Sequence, residues 1–446
     1  MEKTYKVKIE SYDVNGYGVC HIDKKVVFVE KALKDEEVII EITNEHKKYA
    51  FAKIVKILAK SSHRQAEACP YARYCGGCDF MHMDYETECE IKQNKVKQTL
   101  KEFNYELLDI IKNDNLYNYR NKIMVPVRKD EEGDIIYGFY QKKSHDVIPM
   151  DKCLVSNELS NNIVSLICRY LSVHNVSIYN ETANTGLFKE VMVRNTSLNE
   201  YMVVLVTTAD FEFDALIKLL TEEFKEIKSI YLNINSEKTN VVLSNNYKLL
   251  YGEEKVKEKI LDNYYLVSPA TFLQVNHNQC ERLYSKAFEF ARLDKNMTVI
   301  DAYCGMGSIT LNLARKAKFV YGIEEVPQAI DDANENMKLN GISNASFICG
   351  KCEDKIREIV GKEHIDLIVV DPPRKGCDQA FLDTVIKMGI PKIVYISCNV
   401  ATLARDIKIL ESNGYKLDKA EPVDLFSLTN NIETVALLTR KDSVKK

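Results

Sequence analysis

From about residue 264 onward, short apolar runs alternate with segments of helical length, and this alternation limits the fold more than any other feature of the chain. The runs cover residues 298–300, 319–323, 345–348, 365–370 and 392–396. Strands that alternate with helices form a parallel sheet with helices on both faces. The sequence therefore predicts a doubly wound α/β domain, in which ligands bind beyond the carboxyl ends of the strands.

The preceding residues divide into two further regions. Residues 1–60 contain several short alternating strands separated by turn signals, which is typical of a small β-barrel. Residues 63–83 are irregular and rich in cysteine and glycine, and a helical pattern then covers Tyr85–Phe103. A chain of 446 residues exceeds one ordinary domain. We predict a β-barrel over 1–62, a central α+β domain over 63–262 and the doubly wound domain over 263–446.

The charge balance excludes a strongly basic protein that binds nucleic acid along its whole surface, because the formal net charge is −4. Residues 1–64 carry 13 Lys or Arg against 10 Asp or Glu, a weak local bias that permits contact with RNA but equally fits a solvated face. The sequence has no apolar run of membrane-spanning length and no signal-peptide pattern at its start, so we expect a cytoplasmic protein.

The first strand of the doubly wound domain runs into a loop with two glycines, Tyr303-Cys304-Gly305-Met306-Gly307. Glycines there let a ligand approach the backbone, although close packing of a helix on a strand also explains them. A dinucleotide fingerprint would need glycine at position 310, which is threonine, so NAD is disfavoured. The second strand ends at Glu324, which could accept hydrogen bonds from ribose hydroxyls. With Asp371-Pro372-Pro373 after a later strand, this pattern favours S-adenosylmethionine.

One thiol and two carboxylates lie at the ends of predicted strands. Cys398 follows the run 392–396, Asp371 follows the run 365–370, and Glu433 comes directly before another apolar run. We expect all three side chains at one edge of the sheet. A thiol can add to a ring as a nucleophile, and a carboxylate can later remove a proton, so we predict these roles for Cys398 and Glu433.

A second cysteine motif lies in the irregular region. Cys69, Cys75 and Cys78 fall within ten residues and are joined by Gly76 and Gly77, and Cys153 is the best candidate for a fourth ligand. Four thiolates suit an iron–sulfur cluster or a structural zinc, and the spacing alone does not distinguish the two. Cysteine packing without any metal is the third reading.

Together these motifs resemble the RNA uracil-5-methyltransferase family, particularly its cluster-bearing branch that acts on 23S ribosomal RNA. The resemblance covers nearly the whole chain and implies a TRAM domain at the N-terminus and a class I methyltransferase domain at the C-terminus. It also implies that Cys69, Cys75, Cys78 and Cys153 bind a [4Fe–4S] cluster. By the same resemblance, Gln274, Tyr303, Glu324 and Asp371 bind the methyl donor, Cys398 is the nucleophile and Glu433 is the general base.

The chain departs from this family pattern at two places. Val400 stands where a proline usually follows Ser-Cys-Asn, and Asn431 stands where a histidine usually precedes the base by two residues. The second departure raises the question of what orients Glu433.

Other readings of the sequence remain open. The same reaction on transfer RNA is the nearest one, and Arg120 and Lys122 are candidates for contact with phosphate or base. Methylation of an adenine amine would use Asp371-Pro372-Pro373, but it would leave Cys398 unexplained. A non-catalytic RNA-binding assembly factor and a redox sensor are the remaining alternatives. We expect a monomer without membrane contact.

Overall fold

In the computed structural model, which describes residues 4–142, 144–239 and 241–441, the chain begins with six strands. They are β1 (Thr4–Lys8), β2 (Ser11–Tyr12), β3 (Gly18–Ile22), β4 (Lys25–Glu30), β5 (Glu37–Glu45) and β6 (Tyr49–Ala59). They form one sheet in the order β1-β5-β6-β4-β3-β2. The sheet curls because the N–H of Glu10, just beyond β1, donates to the carbonyl oxygen of Val19 in β3 at 2.8 Å.

The central part of the chain contains three helices and a second sheet. Its elements are α1 (Tyr85–Thr99), β7 (Glu106–Leu107), β8 (Lys122–Lys129), β9 (Ile135–Tyr140), β10 (Val147–Pro149), α2 (Glu158–Val173), β11 (Phe188–Asn195), β12 (Tyr201–Thr207), α3 (Asp214–Glu223), β13 (Ile227–Ile234) and β14 (Tyr247–Gly252). Seven of the strands form a mixed sheet in the order β10-β9-β8-β11-β12-β13-β14, and α2 and α3 pack on it. This arrangement is the α+β organisation that the sequence predicts.

The rest of the chain alternates between strands and helices. It comprises β15 (Val256–Ile260), β16 (Asn263–Val267), α4 (His277–Ala291), β17 (Thr298–Ala302), α5 (Ser308–Ala314), β18 (Phe319–Glu324), α6 (Pro327–Leu339), β19 (Ala345–Cys349), α7 (Cys352–Val360), β20 (Leu367–Val370), α8 (Gln379–Met388), β21 (Lys392–Ser397), α9 (Val400–Ser412), β22 (Tyr415–Val423) and β23 (Glu433–Arg440). All five apolar runs of the sequence analysis are strands, so the predicted alternation is confirmed.

Eight strands form the C-terminal sheet in the order β19-β18-β17-β20-β21-β23-β22-β7. Successive residues of the central strands point to opposite faces. Val299 joins the core beneath α4 and α5, whereas Ile300 joins the core beneath α1, α8 and α9. Burial on both faces explains why these strands are continuous apolar runs rather than alternating ones.

The sheet differs from the predicted one at its end. β23 runs antiparallel to β21 and to β22, so only the part from β19 to β21 is a purely parallel sheet. The last strand, β7, comes from residues 106–107 and pairs with β22, although the predicted methyltransferase domain starts at residue 263. The proposed boundary at 262 falls between β15 and β16, which pair as a hairpin. The three-domain division remains a proposal, and residues 1–3 and 442–446 lie outside the described residues.

Among the helices of the described residues, none has both the length and the apolar content needed to cross a bilayer.

Candidate active site

Cys398 and Glu433 are placed side by side by strand register. Ser397, the last residue of β21, pairs with Thr434 in the antiparallel ladder with β23. Cys398 follows this pair on one strand and Glu433 precedes it on the other, so the two lie at the same edge of the sheet. Asp371 directly follows β20, the parallel neighbour of β21, and lies at the same edge. The structure thus brings together the three side chains that the sequence analysis singled out.

The thiol of Cys398 lies in an environment that disfavours ionisation. Burial, the carboxylate of Glu433 and that of Asp371 raise the pKa of Cys398 to about 11, and only Arg374 and a backbone hydrogen bond oppose them. The backbone hydrogen bond at the strand end lowers the pKa of Cys398, but burial and the two carboxylates outweigh it. Arg374 is the cation of this site, and the sequence analysis assigned it no role.

Both carboxylates of the site favour the protonated form. Burial raises the pKa of Asp371 to about 7. Burial and the proximity of Asp371 raise the pKa of Glu433 well above its usual value, with Arg374 opposing. The Oε2 atom of Glu433 is buried without a hydrogen-bond partner in the structure. A raised pKa makes the ionised carboxylate of Glu433 a stronger base, although Glu433 must first lose its own proton.

Helix α9 begins directly after the thiol. Asn399 caps it by accepting a hydrogen bond from the N–H of Ala401 at 3.1 Å. Val400 is the first helical residue and is buried in the core beneath the sheet. The first position of a helix needs no N–H donor, so proline and valine are both compatible with it. The departure at Val400 therefore leaves the start of the helix intact.

The glycine loop adopts a backbone that suits a bound ligand. Tyr303, Gly305 and Gly307 all have positive φ, of +66°, +52° and +85°. A Cβ atom at Gly305 would meet no atom within 4 Å, so the loop borders open space there. Glu324, at the end of β18, accepts the N–H of Gly305 at 3.2 Å and that of Val326 at 3.0 Å. This carboxylate is thereby fixed beside the open side of the loop.

A further carboxylate, which the sequence analysis missed, lies inside β17. Asp301 accepts a hydrogen bond from the hydroxyl of Thr310 at 2.6 Å through Oδ2, while its Oδ1 is buried without a partner. Burial and the nearby Asp371 raise the pKa of Asp301 to about 7. The position of Asp301 immediately before the glycine loop is the sequence feature that could have indicated its place in the site. Three acidic side chains around one loop fit a donor that carries ribose hydroxyls and cationic groups.

Gln274 is buried between the C-terminal sheet and the central region. The backbone carbonyl oxygen of Gln274 accepts a hydrogen bond from the side-chain amide of Asn121 at 2.9 Å. Two residues later, Asn276 caps α4 and its side-chain amide donates to the carbonyl oxygen of Leu425 at 3.2 Å. The segment therefore contacts the loop that leads to Glu433.

The four predicted cysteine ligands line one cavity. Cys69, Cys75, Cys78 and Cys153 surround a space of about 240 Å³, together with Arg120 and Lys122. Lys122 has no carboxylate partner in the described part of the chain, and burial, with Arg194 and Arg120 nearby, lowers its pKa to about 8. The two cations, predicted as RNA contacts, thus also border the thiols.

The distances among these sulfurs help to distinguish an iron–sulfur cluster from a single zinc ion. Within the described residues, three or more His, Cys, Asp or Glu ligand atoms come within 4.8 Å of one another only at Asp130, Glu132 and Asp134. No three of the four cysteine sulfurs therefore lie within 4.8 Å of one another. Sulfurs on a single tetrahedral zinc lie about 3.8 Å apart, from a Zn–S bond of about 2.3 Å. The cavity fits a cluster better than one zinc ion.

Comparison with known families decides the class of this site. Residues 84–441 match the family described as tRNA (uracil-5-)-methyltransferase, and residues 2–55 match the TRAM domain. The chain belongs to the uracil-5-methyltransferase family. The resemblance inferred from the motifs is thereby confirmed, as is the fold class.

Full-length relatives of this methyltransferase agree with that assignment. An uncharacterized RNA methyltransferase of Oceanobacillus iheyensis is 40% identical over 98% of this chain and 96% of its own length. One from Clostridium tetani is 38% identical over 99% of this chain and 98% of its own length. The chain is therefore an RNA-modifying enzyme of the uracil-5-methyltransferase class.

A solved structure of similar shape extends the comparison to the methyl donor. The tRNA (uracil-54, C5)-methyltransferase of Pyrococcus abyssi, in complex with S-adenosyl-L-homocysteine, aligns with a TM-score of 0.78 and 25% identity. The alignment covers 97% of this chain and 99% of that one. S-adenosylmethionine is accordingly the methyl donor of this methyltransferase, as the glycine loop predicts.

Proposed function

We propose that this methyltransferase modifies carbon 5 of a specific uridine in 23S ribosomal RNA, with Cys398 as nucleophile and Glu433 as general base. Strand register carries the two catalytic roles, because it places these residues on either side of the Ser397–Thr434 pair. The choice of 23S ribosomal RNA rests on the resemblance to the cluster-bearing branch of the family. Uracil carbon 5 is a poor nucleophile on its own. A neighbouring thiol and a buried base supply the two steps that the ring needs.

In the first step, the thiolate of Cys398 bonds to carbon 6, and the electrons of the carbon 5–carbon 6 double bond move into an enolate. S-adenosylmethionine would supply the methyl carbon to carbon 5, its methyl–sulfur bond would break, and S-adenosylhomocysteine would be the leaving group. Glu433 then takes the proton from carbon 5, the electrons of that C–H bond re-form the double bond, and the sulfur of Cys398 leaves carbon 6 as a thiolate. Arg374 is the cation positioned to favour the thiolate, because it lowers the pKa of Cys398.

Residues around the glycine loop would hold the methyl donor. The carboxylate of Glu324, fixed by the N–H of Gly305, suits the ribose hydroxyls. Asp371 and the free oxygen of Asp301 suit cationic groups of the donor. Tyr303 flanks the loop, and Gln274 would contact the base or the donor from the side of the central region.

We further propose that Cys69, Cys75, Cys78 and Cys153 hold a [4Fe–4S] cluster. The wide sulfur spacing and the cavity volume support it. Arg120 and Lys122 would offset part of the negative charge of four thiolates. Such a cluster would act structurally, since no step of the methyl transfer needs an electron.

The outer face of the N-terminal sheet supports RNA binding. Five aromatic rings contact one another there, with centroid separations between 4.5 and 6.4 Å, and they belong to Tyr17, Phe28, His46, Tyr49 and Phe51. Phe28 on β4 and Tyr49 and Phe51 on β6 alternate with buried residues such as Val27 and Ala50, so these three rings face outward. Half-exposed rings beside lysines provide stacking surfaces for unpaired bases.

Transfer RNA is the second candidate substrate, because the structurally similar Pyrococcus abyssi enzyme acts on uridine 54 of tRNA. Methylation of separated ribosomal and transfer RNA by the purified protein distinguishes the two. Mapping of 5-methyluridine by mass spectrometry, in cells with and without the protein, then identifies the site. Loss of the mark from 23S RNA alone is the expected result, and loss from tRNA alone would replace the proposed substrate.

The assignment of the base has its own test. Glu433→Gln keeps the size of the side chain but cannot accept the proton, so the covalent protein–RNA adduct should accumulate with the methyl group already transferred. Denaturing gels with a labelled methyl donor detect that species. Normal turnover by Glu433→Gln would contradict the assignment.

A further inference from the structure

The loop between β22 and β23 ends at Glu433 and is buried to an unusual degree for a hairpin connection. Asp424, Ser427 and Leu428 are each at most 2% exposed. Leu428 has a φ of +67°, which is uncommon for a residue other than glycine and persists only where the surroundings fix it. Contacts from other parts of the chain must therefore hold this loop.

A buried lysine on α1 holds the first half of the loop. Lys92 Nζ lies 2.6 Å from carboxylate oxygens of both Asp424 and Glu88 and 3.1 Å from the carbonyl oxygen of Phe426. Burial alone would lower the pKa of Lys92, but the two carboxylates outweigh it and the pKa is raised. Glu88 also accepts the N–H of Leu428 at 2.7 Å.

The segment that follows the cysteine motif holds the second half. The N–H groups of Asp79 and Phe80 both donate to the carbonyl oxygen of Leu428, at 2.8 and 3.0 Å. The carboxylate of Asp79 accepts the N–H of Asn430 at 3.1 Å. Asp79 directly follows Cys78, so the backbone that carries a cysteine ligand is bonded to the loop that carries the base.

Side-chain packing makes the same connection. Leu428 belongs to a small apolar cluster whose buried members include Cys69, Met81 and Val155, and Cys78 and Cys153 pack against it. Asn431, which stands where the family usually has a histidine, is exposed. Within the described residues it forms hydrogen bonds only to Thr429. The orientation of Glu433 therefore depends on the loop backbone rather than on residue 431.

Building on the proposed roles of Cys398 and Glu433, we propose that Asp79 and Leu428 are positioning residues that connect the cysteine cavity to the general base. The segment Cys78–Phe80 fixes the Leu428 carbonyl and the N–H of Asn430, and this fixes where β23 begins. Because Oε2 of Glu433 has no hydrogen-bond partner to orient it, a displacement of the loop moves the carboxylate directly. Proton removal from carbon 5 is the step that depends on it, whereas addition and methyl transfer depend on Cys398 and the donor.

The test separates these steps in the full-length enzyme. Asp79→Ala should slow elimination about tenfold, since a small misplacement of a catalytic group is costly, while methyl transfer into the adduct stays within about twofold. The trapped methylated adduct should rise accordingly, and hydrogen exchange of peptides covering 424–434 should become faster. Leu428→Asn, which keeps a residue tolerant of positive φ but removes the apolar contact, should give the same pattern.

A matched control distinguishes the loss of the loop contact from the loss of a surface charge. Asp79 and Glu30 each lie 3.3 Å from Lys142 Nζ, but only Asp79 bonds to the loop. Glu30→Ala should leave the adduct level and the exchange rates unchanged. Iron-depleted protein, prepared with a chelator, should show the same faster exchange at 424–434 as Asp79→Ala.

Two results would overturn the proposal. One is an unchanged exchange rate of the loop in both Asp79→Ala and Leu428→Asn. The other is an equal loss of methyl transfer and elimination, which would point to general damage. A failure of Glu433→Gln to trap the adduct would instead remove the base assignment, and the exchange rates would still decide whether the cysteine segment holds the loop.

Discussion

Ser397 pairs with Thr434 across the antiparallel ladder between β21 and β23. The pair lies one residue from Cys398 on one strand and one residue from Glu433 on the other. Two functional groups from positions 35 residues apart are thus brought to one edge of the sheet by the backbone hydrogen bonds of the ladder. The contacts of the loop before Glu433 then orient its carboxylate, and the chemistry of the site depends on the charges that surround the thiol.

Substitution of the thiol tests the nucleophile. Cys398→Ala should abolish both the covalent adduct and turnover, because it removes the sulfur that is proposed to bond to carbon 6. Binding of S-adenosylmethionine, measured by calorimetry, should remain within about twofold of the unmodified protein. Detectable adduct formation by the variant would assign the nucleophile to another residue.

The pH dependence of thiol alkylation tests the electrostatics of the site. With a pKa of about 11 for Cys398, the rate of its reaction with iodoacetamide should still rise about tenfold per unit near pH 9 to 10. Free cysteine, with a pKa of about 8.5, levels off in that range. Quantitative mass spectrometry of the peptide containing Cys398 provides the rate.

Substitution of each charged neighbour tests, in the same assay, whether that neighbour raises or lowers the pKa of Cys398. Glu433→Gln removes a group that raises the pKa of Cys398, so alkylation at a fixed pH should be faster. Arg374→Gln removes the group that lowers it, so alkylation should be slower. A change in the opposite direction for either variant would contradict the described arrangement.

The buried ion cluster of α1 should contribute strongly to stability. Lys92→Met leaves Glu88 and Asp424 buried without their cation and should cost about 3–5 kcal/mol in the free energy of unfolding. The loss should be smaller at pH 5 than at pH 8, because burial raises the pKa of Glu88, which can then take up a proton. Urea denaturation measures it, and Lys97→Met, at an exposed position of the same helix, should change stability by less than about 0.5 kcal/mol.

Metal analysis tests the cysteine cavity. Protein reconstituted without oxygen should bind about four irons per chain, and Cys153→Ser should lower that content sharply. Cys168→Ser is the matched control, since Cys168 is buried in the core beneath α2 and lies outside the cavity. One zinc per chain in place of iron would replace the cluster assignment.

The aromatic face of the N-terminal sheet should affect RNA affinity rather than catalysis. Phe28→Leu and Phe51→Leu should each weaken RNA binding by about 1 kcal/mol or more, the value of one stacked base, with kcat unchanged at saturating RNA. Fluorescence anisotropy measures the affinity. Val55→Ala, at an exposed position on the same strand β6, should bind as well as the unmodified protein.

Much of the C-terminal architecture could be predicted from sequence because buried parallel strands are continuous apolar runs. Asp371, Cys398 and Glu433 could be placed at one edge for the same reason. Strand direction was not predictable from apolarity, so the antiparallel β23 was missed. The pairing of β7 with β22 was also missed, because a strand of only two residues, 106–107, is too short to show a periodic pattern.

The site was harder to predict where its properties depend on three-dimensional charge. The direction of the Cys398 pKa shift follows from burial and from two carboxylates that the fold brings close, and none of these can be inferred from the residues next to Cys398 in the sequence. Asp301 lies inside the apolar strand β17, where a side chain is expected to belong to the core rather than to the site. The loop before Glu433 was judged by residue 431 alone, whereas its actual contacts come from residues 79–92, more than 300 positions away.

The strand β7 has a consequence for how this enzyme can be divided. Because residues 106–107 close the open side of β22, a fragment starting at residue 263 would expose unpaired backbone groups there and would be prone to self-association. During synthesis the catalytic sheet gains its last strand only when the C-terminal hairpin meets a segment made much earlier. Excision of the catalytic half by itself would therefore yield an incomplete sheet rather than a smaller enzyme.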